Sequence, residues 1–392
     1  MSCTASRSGA RAQGASGRSP RPRRGRGRRR GALVAAALTG VMALVAAGCG
    51  GSTDGASAGA QASPSTSATP HTVTDSTGAA VRVPGVVNRI ADSWPAHNEV
   101  VQMLGGGDKI VATVLTPASV PWLYTISPKI RQAKTVFTTT TANTEELLKT
   151  RPDVLFNNAG TQVGSKTSQV GIPTLQLSFQ TFDGLKKVVN TTADVLGPEA
   201  KAQAARYNTC LDGKLAAVRA RTTPIAADQR PKVLHIYSLN PLVVDGTNSI
   251  IDEWITAAGG RNAAEVKGNA RQVTKEAVAS WNPDVIILAS SAFTGNDTGA
   301  QTLEKLTTDP FWSNQPAVRN HKAYINPTGG WHWDRYGIEE ALQIQWAAKT
   351  LHPELFTDLD IVAETKSFFR DFLHFTLTDD QATRIVNAQD PA

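Results

Sequence analysis

The ten residues TGGWHWDRYG, Thr328 to Gly337, hold two tryptophans, a histidine, an arginine and a tyrosine behind a glycine pair, in a chain that is only 6% aromatic. These residue types can do three kinds of chemistry. Flat rings give apolar faces to a ligand, an arginine gives a planar fork to anionic oxygens, and a neutral imidazole can ligate a metal. Core packing is the structural alternative, but it would bury an arginine and a histidine together, which is costly without partners. The stretch therefore reads as the wall of a ligand pocket, led by Trp331, His332 and Arg335, with one of Trp331 and Trp333 left to the core. A second group, DSWPAHNE (Asp92 to Glu99), adds Trp94 and His97. Asn157 or Asn158, ending DVLFNN, and Tyr237, near the end of KVLHIYS, complete the candidates.

Other chemistry finds less support. None of the seven histidines shows an HExxH or His-x-Glu-x-His spacing, and no cysteine pair exists, so a bare metal ion is not expected. His97 and His332 alone would under-coordinate an ion, yet either could fill the open position of a metal already held in a chelate. GTQVGSKT (Gly160 to Thr167) has three residues between its glycines where a phosphate-binding loop has four, and Ser165 precedes its lysine. No GxSxG or similar nucleophile signature occurs, and no catalysis is expected.

The elements that must position these residues alternate. RIADSW (Arg89 to Trp94), KIVATV (Lys109 to Val114), DVLFNN and PTLQLS (Pro173 to Ser178) read as strands of a first half. KVLHIYS (Lys232 to Ser238), DVIILAS (Asp284 to Ser290) and KAYINP (Lys322 to Pro327) read as strands of a second. Most are near-continuous apolar runs, as in parallel sheets covered on both faces. Residues 198–223 have a leading proline and apolar spacing near 3.6, and read as one long helix joining the halves. A weak repeat relates them: EELLKTRPDVLF from Glu145 and EAVASWNPDVII from Glu276, each a short helix stopped before proline and then a buried strand. The fold class is α/β, with two Rossmann-like lobes, 71–197 and 224–392, and a ligand cleft lined by strand C-termini between them.

The chain's first 48 residues carry ten arginines and no acid, and an apolar run too short to span a membrane precedes VAAGC. This resembles a bacterial lipobox, so residues 1–48 are expected to be a signal peptide and Cys49 the lipidated N-terminus. The formal charge of +7 comes from 40 basic and 33 acidic residues; removing the ten arginines leaves 30 basic and a charge of −3. The basic character belongs to the leader, and nucleic acid is not an expected partner. With Cys3 removed and Cys49 lipidated, Cys210 is expected to be alone. Residues 50–70 are rich in Gly, Ser and Ala and read as a flexible tether, so the domain boundary lies at 71.

The motifs VTDSTGAAVRVPGVVNRI, LGGGDKIVATV, NTEELLKTRPDVLF, VASWNPDVII, LTTDPFWSNQPAVRNHKAYIN and LHPELF, in this order, resemble the ABC-transporter substrate-binding proteins that deliver iron–siderophores, haem and cobalamin. The resemblance covers about Val73 to Phe356 and implies two lobes on a rigid backbone helix with small closure motions. It implies a monomer held by lipid at the outer face of the cytoplasmic membrane, partnered by an ABC permease dimer and its ATPase. Glu145 and Glu276 stand where the family's lobes pair with permease arginines. The implied ligand is a metal chelate, first an iron–siderophore. Haem (with His332, Tyr336 or His97 as axial ligand), cobalamin or a nickel chelate are alternatives, and no resident cofactor is implied. Residues 357–386 read as two extra helices, the second capped by Thr378 and Gln381.

Overall fold

The computed structural model describes residues 69–392, except 139, 168–170 and 291–297. The leader, Cys49 and nearly all of the tether lie outside the described residues. A small antiparallel hairpin comes first, β1 (His71–Thr74) with β2 (Ala80–Val83). The first lobe is a parallel sheet of β3 (Ile90–Asp92), β4 (Ile110–Thr113), β5 (Lys134–Thr135), β6 (Val154–Asn158) and β7 (Thr174–Leu177), in the order β5-β4-β3-β6-β7. Its helices are α1 (His97–Met103), α2 (Pro121–Ile126), α3 (Thr144–Lys149), α4 (Gln162–Thr167) and α5 (Phe182–Leu196).

Helix α6 (Pro198–Thr222) crosses to the second lobe. There β8 (Lys232–Leu239), β9 (Leu242–Val244), β10 (Arg261–Asn262), β11 (Arg271–Gln272), β12 (Val285–Leu288) and β13 (Ala323–Ile325) form one sheet, in the order β11-β9-β8-β12-β13 with β10 beside β8. Strands β8, β12 and β13 run parallel, while β9 and β11 fold back antiparallel at the edge. Around them lie α7 (Ile250–Ala257), α8 (Lys275–Trp281), α9 (Gly299–Thr308), α10 (Pro316–Arg319), α11 (Glu340–Leu351), α12 (Ile361–Phe372) and α13 (Asp379–Val386).

All seven expected strands form. The short edge strands were not legible, because two or three residues carry no periodicity. The Pro-Asp-Val repeat has a physical reason. Asp153 Oδ2 accepts from the amides of Asn88 and Arg89 at 2.8 and 2.9 Å, and Asp284 Oδ2 from the Lys232 amide at 2.8 Å. In each lobe the aspartate thus ties the start of its own strand to the start of the neighbouring one. Arg151 and Asn282, the residues before the two prolines, both adopt left-handed backbone, at φ 45° and 49°. The Gly105 turn closes α1, with φ 80° and its amide on the Gln102 carbonyl at 3.0 Å. The expected capping box of α13 is present in both directions, at 3.0 and 3.1 Å.

Cys210 lies on the buried face of α6.

Candidate functional site

Strands β3 and β6 end where the lobes meet. Beyond β3, Asp92 organises the turn: Oδ1 accepts from the Trp94 amide at 3.1 Å and Oδ2 meets His97 Nδ1 at 2.7 Å. His97 Nε2 meets Thr192 Oγ1 at 2.8 Å, and the ring is fully buried. Both imidazole nitrogens are occupied within the lobe, so His97 does not face the cleft as the sequence suggested. It supports Trp94 instead, stacking beneath its indole at 9° and 5.8 Å. Asn157 is likewise saturated. Its amide donates to the Asn158 carbonyl and Gln176 Oε1, at 2.8 and 2.6 Å, and its oxygen accepts from Ser93 and Thr161, at 2.7 and 3.0 Å. It fixes the β6 turn rather than reaching a ligand.

Trp94 touches two more rings, Phe179 at 5.8 Å and Tyr336 at 6.2 Å, and those two meet edge-on at 5.4 Å. Phe179 follows β7 in the first lobe and Tyr336 lies in the TGGWHWDRYG loop of the second, so this cluster spans the lobe boundary. Sequence reasoning missed Phe179. Its signal was its place just past a strand's C-terminal end, where Trp94 also stands.

In the second lobe Arg335 forms part of a buried ion network. Nε and Nη2 bond Asp334 Oδ2 at 3.0 and 2.9 Å, and Nη2 also bonds Asp245 Oδ2 at 3.0 Å. His235 bridges the same two carboxylates, at 2.9 Å to Asp245 and 3.0 Å to Asp334. Burial alone would raise Asp245, yet Arg335 and His235 hold it at about 2. Asp334 is held far below the carboxylate range for the same reasons. Burial opposes a charge on His235, but the two carboxylates outweigh it and push its pKa up. Arg335 and His235 are thus committed to the two buried carboxylates, and Tyr237 lies against the guanidinium at 4.5 Å. The expectation that Arg335 offers a free fork to anionic oxygens is corrected here, since two of its three nitrogens serve aspartates. His235 and Asp245 carried no sequence signal, because a lone His or Asp inside a strand pattern does not announce a partner.

Trp333 is fully buried and belongs to the core. Trp331 is 4% exposed, with its indole donating to the Arg335 carbonyl at 2.8 Å, which holds the loop in shape. His332 stacks edge-on against it at 4.8 Å, and its Nδ1 lies 2.5 Å from Ser290 Oγ. Burial pushes the His332 pKa down to about 4, so the imidazole is neutral at physiological pH. His332 and Ser290 border a small cavity of about 30 Å³ whose other walls come from Ser119–Trp122 of the first lobe and from Ala388 and Asp390. A larger groove of about 710 Å³ lies between the end of α6 and α7 and includes none of the sequence-expected residues.

The loop's glycines are explained by acids. Glu99 from α1 and Glu339 at the start of α11 hydrogen-bond each other across the lobe boundary, both fully buried. Glu99 Oε2 accepts from the Ile338 amide at 3.1 Å and Glu339 Oε2 from the Trp331 amide at 2.8 Å. A Cβ on Gly329 would fall 2.0 Å from Glu339 Oε1, and one on Gly330 would fall 2.8 Å from Glu99 Oε1. Burial first, and the neighbouring Glu339 charge second, raise Glu99 well above the usual range. Burial pushes Glu339 up to about 7 despite the hydrogen bonds it receives. Glu340, also buried, is raised by burial and by Asp334.

Glu145 and Glu276 stand in the first turns of α3 and α8, both exposed. Lys149 lies 2.9 Å from Glu145. Residues 94–328 match the periplasmic binding protein family. The chain belongs to that family. Membership bears out the resemblance read from the sequence and its two-lobed α/β fold. The molybdate-binding protein MolA of Haemophilus influenzae is 28% identical over 269 residues, 62% of this chain and 73% of MolA. YvrC of Bacillus subtilis, an uncharacterized ABC transporter substrate-binding lipoprotein, is 24% identical over 84% of this chain and all of its own length. A periplasmic solute-binding protein of Veillonella parvula has a crystal structure that superposes with a TM-score of 0.68 at 26% identity, over 81% of this chain and 97% of that one.

Proposed function

We propose that this protein is the extracytoplasmic solute-binding lipoprotein of an ABC importer, capturing a metal chelate, first an iron–siderophore, and presenting it to the permease and its ATPase. Family membership supports the transport role, and the relative YvrC is described as an ABC transporter substrate-binding lipoprotein. The observation that carries the choice of a chelate is the ring cluster of Trp94, Phe179 and Tyr336 across the lobe boundary, with a neutral His332 in the same loop as Tyr336. Flat apolar faces suit a large ligand whose metal is already wrapped, and a neutral imidazole suits a metal's open position.

A free oxyanion such as the molybdate of MolA's name would need uncommitted positive groups, and Arg335 is neutralised by Asp334 and Asp245. An axial haem bond through His97 has no ring nitrogen to use. Cys49 would carry the lipid, residues 50–70 would tether a monomeric body to the membrane, and Glu145 and Glu276 would meet permease arginines.

Tryptophan fluorescence tests the reading. The full chain is titrated with ferric hydroxamate and catecholate siderophores, haem, cobalamin, nickel–histidine and molybdate. Saturable quenching by a ferric siderophore, weakened at least about tenfold by Trp94→Ala, is expected if one large ring contributes above 1.4 kcal/mol. Saturation by molybdate alone would replace the chelate reading with an oxyanion one.

A further inference from the structure

The family match ends at residue 328, while the chain continues through α11, α12 and α13 and then turns back. That continuation touches both lobes. Gln203 of α6 donates to the Asp371 carbonyl at 3.2 Å, and Lys214 of α6 pairs with Glu364. The Thr328 amide donates to the Ile385 carbonyl at 3.2 Å, fixing α13 beside the start of the TGGWHWDRYG loop. The chain then reaches the first lobe, where the buried indole of Trp122 donates to the Gln389 carbonyl at 2.8 Å. Ala388 and Asp390, on either side of that bond, face Ser119 of the first lobe and Ser290 and His332 of the second across the small cavity. One short segment therefore borders the site and bonds the lobe opposite the one that anchors it.

We propose that residues 388–390 are a strap that closes the His332 cavity and fastens the two lobes, so that the site opens only when the Trp122–Gln389 bond releases. The strap contributes a wall of this cavity that the family match does not contain. The inference rests on reading the cleft as a solute site, but its test needs no solute, so the two fail separately.

The test is the rate at which diethyl pyrocarbonate acylates His332, followed by peptide mass spectrometry at pH 6.5, with the exposed His321 as internal reference. In the full chain His332 reacts far more slowly than His321. Trp122→Phe keeps an aromatic ring but removes the donor, and raises the ratio of the two rates about fivefold, the population change for a hydrogen bond of about 1 kcal/mol. A variant ending at Asn387, which leaves Trp122 intact, raises it at least as much. The two variants alter opposite sides of one contact, so a rise in only one, or in neither, overturns the strap. Equal reactivity of His332 and His321 in the full chain also overturns it. If the shortened variant loses its near-UV dichroism, Gln389→Gly with Asp390→Gly takes its place, loosening the same backbone.

Discussion

Substituting Glu339→Gln should remove a pH dependence of stability whose size follows from the buried acid pair. Glutamine keeps the shape, still accepts from the Trp331 amide and can donate to Glu99, but it cannot ionise. In the native protein Glu339 is raised from the ordinary 4.5 to about 7. A carboxyl with a raised folded pKa binds more protons folded than unfolded between those values. Its stabilisation is present below pH 4.5 and is lost as pH rises through about 7. The displacement corresponds to about 3 kcal/mol at about 1.4 kcal/mol per unit. His332 works the other way: its folded pKa is lowered from 6.5 to about 4, so its contribution is present above pH 6.5 and is lost as pH falls towards 4. The two slopes partly cancel in the parent protein, and only the difference between parent and variant isolates Glu339. The assay is urea unfolding by near-UV dichroism at constant ionic strength from pH 4.5 to 8. The parent should lose about 3 kcal/mol relative to Glu339→Gln across that range. A difference constant to within about 0.5 kcal/mol would refute the raised pKa of Glu339.

Arg335→Met leaves Asp334 and Asp245 buried without their main counter-charge, and should cost about 3–5 kcal/mol in urea unfolding at pH 7. Asp334→Asn in the same background should restore part of that loss, because it removes one of the stranded charges. Glu145→Arg with Glu276→Arg should abolish uptake in cells while leaving solute affinity within about twofold, since both side chains stand exposed on α3 and α8. Unchanged uptake would sink the docking role. Because α6 runs unbroken between the lobes, solution scattering should give radii of gyration within about 1 Å with and without bound chelate.

Much of the fold is legible in the chain because its signals are local. Seven apolar runs each suffice for a strand, the Pro-Asp-Val repeat marks two matched helix–strand units, and 25 residues of helical pattern mark α6. The same local chemistry points to TGGWHWDRYG as a special loop and to Trp94, which meets Tyr336 across the lobe boundary. What the sequence cannot supply is the partner of each polar group. His97 looks like a ligand until Asp92 and Thr192 occupy both its nitrogens, and Arg335 looks like an anion fork until Asp334 and Asp245, one of them 90 residues away, neutralise it. The glycine pair at Gly329 and Gly330 reads as a turn, yet its cause is an acid pair drawn from α1 and α11. Residue type and periodicity determine which segments become strands and helices. Whether a charged side chain faces a ligand or a neighbour depends on charges brought together from distant segments, and only the folded chain decides that.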